Sequence, residues 1–174
     1  SSIDLCSKNV INELRNFQQK YGCWKSFQQK IFSPACQIFL DYLSGFLQHQ
    51  HKYQLLDIKV QDLKPGYYPC LPHWHVDLMP DPLFSKDTND HHVLFVSGES
   101  SLTRFFNTTF QMKFPTNRDI KQLAQIQADE VSCLEKKFPE YIYTMNPNSV
   151  VEFDRFCFHA PSECKFEETR LLIR

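Results

Sequence analysis

Two histidines and an aspartate carry the chemistry most readily available to this chain. His75-Val76-Asp77 is answered far downstream by His159, which Arg170 and Arg174 follow. Two imidazoles and one carboxylate can take one face of a metal ion and leave the opposite face open. That is the ligand set of non-haem Fe(II) sites that activate O2. An arginine beyond the second histidine suits the far carboxylate of a 2-oxo acid, because a guanidinium makes paired hydrogen bonds to a carboxylate. Taken alone, H-x-D is a short pattern, and in a chain with seven histidines it also arises on a polar surface strand. Its setting sharpens it, since Pro72-His73-Trp74-His75 puts a second imidazole and an indole beside it. His73 shares the face of His75 in an extended chain and is expected in the surroundings of the metal or facing substrate.

His159 ends an apolar, aromatic lead from Val150 to Phe158, a setting in which a histidine is more often a satisfied core residue than a ligand. The arginines alter that balance. In a strand Arg170 and Arg174 face the same way among Leu171, Leu172 and Ile173, and inward-facing arginines are costly unless an anion pairs with them. A co-substrate carboxylate would serve, and so would structural salt bridges to Glu152 or Glu167.

The elements that must position these residues fall into two parts. Residues 1–52 read as a helical lead-in. Ile3, Val10, Leu14 and Phe17 recur at helical intervals. Ser33-Pro34 supplies an N-cap and a first-turn proline ahead of a stripe of Ile38, Phe39, Tyr42, Leu43, Phe46 and Leu47. Residues 53–174 read as short strands, expected at Leu55–Leu63, His73–Met79, His92–Ser97, Leu102–Phe106, Tyr141–Met145, Ser149–Phe153, Phe156–His159 and Thr169–Arg174. One helix interrupts them at about 117–138, capped by Thr116 or Asn117 and apolar at Ile120, Leu123, Ala124, Val131, Leu134 and Phe138. Eight short strands behind supporting helices imply an α+β chain with a double-stranded β-helix, the jelly roll of cupins, as one domain over 1–174. His75 and Asp77, two apart, share a strand face, and a jelly roll folds a distant strand carrying His159 back beside them.

Composition closes off other classes. Lys plus Arg number 19 against 20 for Asp plus Glu, so no polycationic surface invites nucleic acid or anionic lipid. No apolar run reaches a membrane span, and the first residues are no signal peptide. The seven cysteines are odd in number, with no C-x-x-C, and are expected as reduced thiols of an intracellular, cytoplasmic protein. With four glycines the chain has no phosphate-cradling loop. It opens without Met and stops inside an apolar run, as a piece of a longer polypeptide would.

On these residues the chain resembles the Fe(II)/2-oxoglutarate-dependent dioxygenases. The His-x-Asp…His triad matches at His75, Asp77 and His159. The taurine dioxygenase-like branch carries two arginines spaced like Arg170 and Arg174. There the first binds the distal carboxylate of 2-oxoglutarate and the second lies close to co-substrate or substrate. That branch also has a glycine-rich turn leading to a threonine that contacts 2-oxoglutarate. Gly98-Glu99-Ser100-Ser101-Leu102-Thr103 resembles it with one glycine left, which makes Thr103 the candidate. The stretch Leu55–Asp77, with Pro65-Gly66 ahead of H-x-D, is as similar to the prolyl-hydroxylase-like branch. The resemblance spans roughly 55–174 and implies Fe(II), 2-oxoglutarate, O2 and a substrate to be hydroxylated with release of succinate and CO2. His73, Trp74, Tyr67, Tyr68 and the 80–90 loop are substrate-side candidates. Two readings from other classes stand beside it: a cupin-like metal enzyme that does not use 2-oxoglutarate, and a non-enzymatic jelly-roll binding module.

Overall fold

The structure, a computed structural model, describes residues 7–21, 24–26, 32–45, 55–77, 91–110, 120–154 and 156–174. The lead-in forms helices α1 (Lys8–Tyr21) and α2 (Pro34–Ser44) with a short strand β1 (Trp24–Ser26) between them. In α1 the apolar positions Val10, Leu14 and Phe17 are all buried, as their spacing requires. In α2 the Ser33 hydroxyl accepts the Cys36 amide at 3.3 Å, so the expected cap forms, with Pro34 in the first turn. The expected apolar stripe of α2 is displaced, because Ile38 and Tyr42 are 52% and 48% exposed. The buried face is Cys36, Phe39, Leu40 and Leu43, and Phe46 and Leu47 lie outside the described residues.

Strands β2 (Leu55–Leu63), β3 (His91–Ser97), β4 (Thr103–Phe106), β5 (Ile142–Thr144), β6 (Ser149–Asp154), β7 (His159–Pro161) and β8 (Glu168–Ile173) follow. Helix α3 (Ile120–Lys137) comes between β4 and β5. They make two antiparallel sheets, one ordered β1-β2-β8-β3-β6 and one ordered β5-β4-β7, so the chain is α+β. Two expected strands differ. Over 73–77 the only pairing among the described residues is a single bridge at His75, and β7 begins at His159 where Phe156 was expected to open it. The capping residues proposed for α3, Thr116 and Asn117, lie outside the described residues.

The large sheet is covered on its outer face by α1 and α2. Ile58 and Val60 of β2, Phe95 of β3 and Leu171 and Ile173 of β8 share a cluster there with Leu14 and Phe39. Gln18 accepts the Val60 amide at 2.7 Å, which satisfies a donor that β1 is too short to reach. The inner face meets the small sheet through Leu94, Val96, Leu102, Phe105, Met145 and Phe153. Outside the small sheet, α3 packs by Val131 against Trp74, Phe106 and Ala160. Its buried positions are Gln127, Ala128 and Val131, whereas Ala124 and Phe138, expected on the apolar face, are exposed. Among the described residues no helix is long and apolar enough to cross a membrane.

Candidate metal centre

His75 and His159 are direct cross-strand partners. The His75 amide donates to the His159 carbonyl at 3.0 Å and the His159 amide returns a bond at 2.9 Å, an isolated bridge alongside β7. Such a pair points both side chains to one face, and the two imidazole centroids are 4.5 Å apart. Each ring is fixed in the same way. Nδ1 of His75 lies 2.8 Å from the carbonyl of His73, and Nδ1 of His159 lies 3.0 Å from the carbonyl of Cys157. A carbonyl only accepts, so each Nδ1 carries the proton and each Nε2 keeps its lone pair free for a cation. Burial, reinforced by the neighbouring His75, pushes His159 down to about 4, which keeps it neutral near pH 7.

Asp77 completes the group. Its Oδ2 is 3.6 Å from Nε2 of His159, and ligand atoms of His75, Asp77 and His159 all lie within 4.8 Å of one another. The three candidates, from two widely separated parts of the chain, are thus brought together. Burial works most strongly against the Asp77 carboxylate, but the charge and hydrogen bond of Arg174, with His159 and His92, together hold the group below the usual carboxylate value. Behind His159, Phe105 and Phe153 stand with ring centroids 6.1 and 5.2 Å away, so one wall of the centre is dry.

The two arginines occupy different surroundings. Arg170 is 2% exposed, and it donates through Nε to the Ser101 carbonyl at 2.8 Å and through Nη1 to Gln61 at 3.3 Å. Neither Glu152 nor Glu167 pairs with it, and among the described residues no carboxylate is hydrogen-bonded to it, although the Glu168 charge acts on it from the same strand. Burial pushes it down to about 10, still a cation at neutral pH. Arg174 instead bonds Asp77 directly and reaches Asp57 at 3.2 Å, so it has salt bridges to two aspartates. Cys70 lies within electrostatic reach of Arg170, Arg174, Lys59 and Asp77.

Thr103 is buried on β4, on the face that carries Phe105 and, across the ladder, His159 and Pro161. The turn before it depends on a residue that sequence reasoning missed. Glu168 accepts the amides of Glu99, Ser100 and Ser101 and both serine hydroxyls, so β8 holds the turn by one side chain and orients Arg170 by the next on the same face. Gly98 is required there. Its φ is 135°, and a Cβ would stand 3.4 Å from the Glu168 carboxylate.

The substrate-side candidates divide. His73 is exposed next to His75, and Tyr68, 40% exposed, donates to Glu163 at 3.2 Å. Trp74 points the other way. It is buried under α3, donates through Nε1 to Glu135 at 2.7 Å and lies beneath the Arg104 guanidinium at 5.0 Å. The 80–90 loop lies outside the described residues. The five described cysteines, Cys36, Cys70, Cys133, Cys157 and Cys164, form no disulfide. No family model, no curated protein and no solved structure matches the chain.

Proposed function

We propose that this chain is an Fe(II)- and 2-oxoglutarate-dependent dioxygenase on a double-stranded β-helix, hydroxylating a substrate yet to be identified. His75, Asp77 and His159 would hold the iron, and Arg170, with Thr103 close to the same face, would take the distal carboxylate of 2-oxoglutarate. The observation that carries the reading is the convergence of two Nδ1-anchored imidazoles on one carboxylate. That donor set fits Fe(II) and uses one side of it. A buried guanidinium with no carboxylate hydrogen-bonded to it, on the strand face that also carries Arg174, supports the 2-oxo acid.

Bound Fe(II), with 2-oxoglutarate and O2, supplies an oxidant able to break a substrate C–H bond, with release of succinate and CO2. The chain's own residues do the rest. The carbonyls of His73 and Cys157 keep both imidazoles in one tautomer. Phe105 and Phe153 exclude water behind His159. Arg170 offers a fixed, desolvated fork that selects a dicarboxylate-length co-substrate over a shorter oxo acid. The indole of Trp74, pinned between α3 and β4, holds the H-x-D segment from behind.

One contact favours a second reading, a jelly-roll binding module that uses no metal. Arg174 gives Asp77 a cationic partner from within the chain. Anaerobic addition of Fe(II) and then 2-oxoglutarate separates the readings. The dioxygenase gives the visible band of an iron-chelated 2-oxo acid, lost in His159→Ala, and Asp77→Ala retains no iron. Iron without the band points to a cupin-like enzyme that does not use 2-oxoglutarate. No iron at all leaves the binding module.

A further inference from the structure

On the inner face of β2, opposite the triad, stands a carboxylate that the reading above leaves without a role. Asp57 is 0% exposed, and its backbone pairs with Arg174 in both directions, at 2.7 and 2.9 Å. The two side chains therefore share a face, where Arg174 Nη2 meets Asp57 Oδ2 at 3.2 Å. Lys59, one step along the same face, reaches that oxygen at 3.4 Å. Arg174 then continues to Asp77. The result is a string of alternating charge, Lys59–Asp57–Arg174–Asp77, that ends on a candidate metal ligand. The other oxygen of Asp57, Oδ1, is buried without a hydrogen bond. A desolvated carboxylate with an unsatisfied oxygen is retained against a free-energy penalty.

We infer that Asp57 is a positioning residue for the metal centre: it shares Arg174 with Asp77 and so sets how strongly a cation must compete for the Asp77 carboxylate. The inference rests on the metal-centre reading. Arg174 is held at Asp77 from its own strand, and a divalent ion approaching Asp77 meets that positive charge. Asp57 is the anion that divides the hold of Arg174 and offsets its field. Take the Asp57 charge away, and Arg174 is held more tightly at Asp77. Take the Lys59 charge away, and Asp57 has only Arg174 to pair with, which loosens Arg174 from Asp77. The two substitutions act on metal affinity with opposite signs, which a merely structural part for Asp57 would not produce.

The test is anaerobic Fe(II) titration of wild type, Asp57→Asn and Lys59→Met, with no co-substrate and no turnover. Asp57→Asn should weaken Fe(II) binding by about 10- to 100-fold, the usual effect of losing a group that orients a ligand. Lys59→Met, on a side chain about a third exposed, should tighten it by about two- to threefold. Unchanged affinity in Asp57→Asn, or weakening in Lys59→Met, overturns the inference while leaving the metal centre standing. Should Asp57→Asn fail to fold, Lys59→Met alone decides, by the sign of its effect. A wild type that binds no Fe(II) overturns both.

Discussion

Replacing Arg170 by methionine separates a ligand-binding arginine from a structural one, because the two make opposite predictions for stability and for affinity. Methionine keeps an unbranched stem of similar length and removes the charge. In the free protein Arg170 is desolvated with no carboxylate hydrogen-bonded to it, and its hydrogen bonds go to the Ser101 carbonyl and Gln61. Its loss leaves that carbonyl unsatisfied, which costs about 1–3 kcal/mol. It also relieves a buried charge whose desolvation costs several kcal/mol. The two effects oppose, so urea unfolding should show a net change within about 2 kcal/mol of wild type, where breaking a buried salt bridge would cost about 3–5 kcal/mol. Binding should behave differently. Truncating one side of a buried, hydrogen-bonded charge pair costs about 2–5 kcal/mol, or roughly 30- to 4,000-fold in the dissociation constant of 2-oxoglutarate. Iron retention should be unchanged, since Arg170 is bonded to none of the triad. Arg170→Lys keeps the charge but loses the fork and should fall between. The assay is the amplitude of the anaerobic visible band against 2-oxoglutarate concentration. An Arg170→Met protein that binds 2-oxoglutarate as wild type does refutes the reasoning, and destabilisation beyond about 4 kcal/mol would return Arg170 to a structural part.

Two further outcomes follow from the supporting shell. Although burial opposes it, the hydrogen bonds from Ser101, Glu99 and Ser100 hold Glu168 down at about 2, against an ordinary value of 4.5. A carboxylate with a depressed folded value contributes stability that is fully present above pH 4.5 and lost as pH falls toward 2. Acid unfolding of Glu168→Gln should accordingly have a shallower pH dependence across that window, and an identical profile would remove Glu168 from the turn. Glu135→Ala strips Trp74 and Arg104 of a shared partner, and should lower stability by about 1–3 kcal/mol in thermal unfolding.

What was legible in the sequence was whatever depends on local pattern. Strand β2 was found at its full length, and the α2 cap was found because Ser-Pro has one local use. H-x-D was readable because period-2 geometry puts its two ligands on one face. Where tertiary contact decides, local pattern is not enough. In α2 the helical period allows several apolar stripes, and contact with Phe95 selects the one through Phe39. Strand β7 starts at His159 because that residue is where the chain meets both Phe105 and His75. Trp74 was grouped with the site by its neighbours in sequence, yet alternation turns it to the opposite face, where α3 covers it.

Asp57, Lys59 and Gln61 of β2 show the same limit more sharply. Alternating with Ile58 and Val60, they form the pattern that ordinarily means apolar side to the core and polar side to water. Here the apolar side does meet a core, that of α1 and α2, and the polar side turns inward to a second sheet. Periodicity alone cannot distinguish a face bathed in water from a face lining a polar interior, since both demand the same residue types. The distinguishing signal was the partner strand. Arg170 and Arg174 alternate with Leu171 and Ile173 in the same phase, and β2 and β8 pair so that Gln61 faces Arg170. Two adjacent strands that each place charge of complementary sign on one face, with apolar residues on the other, define an internal site more strongly than either strand does alone. In this chain those strands supply Arg170 and Arg174, and they are also where Asp57 and Glu168 were overlooked.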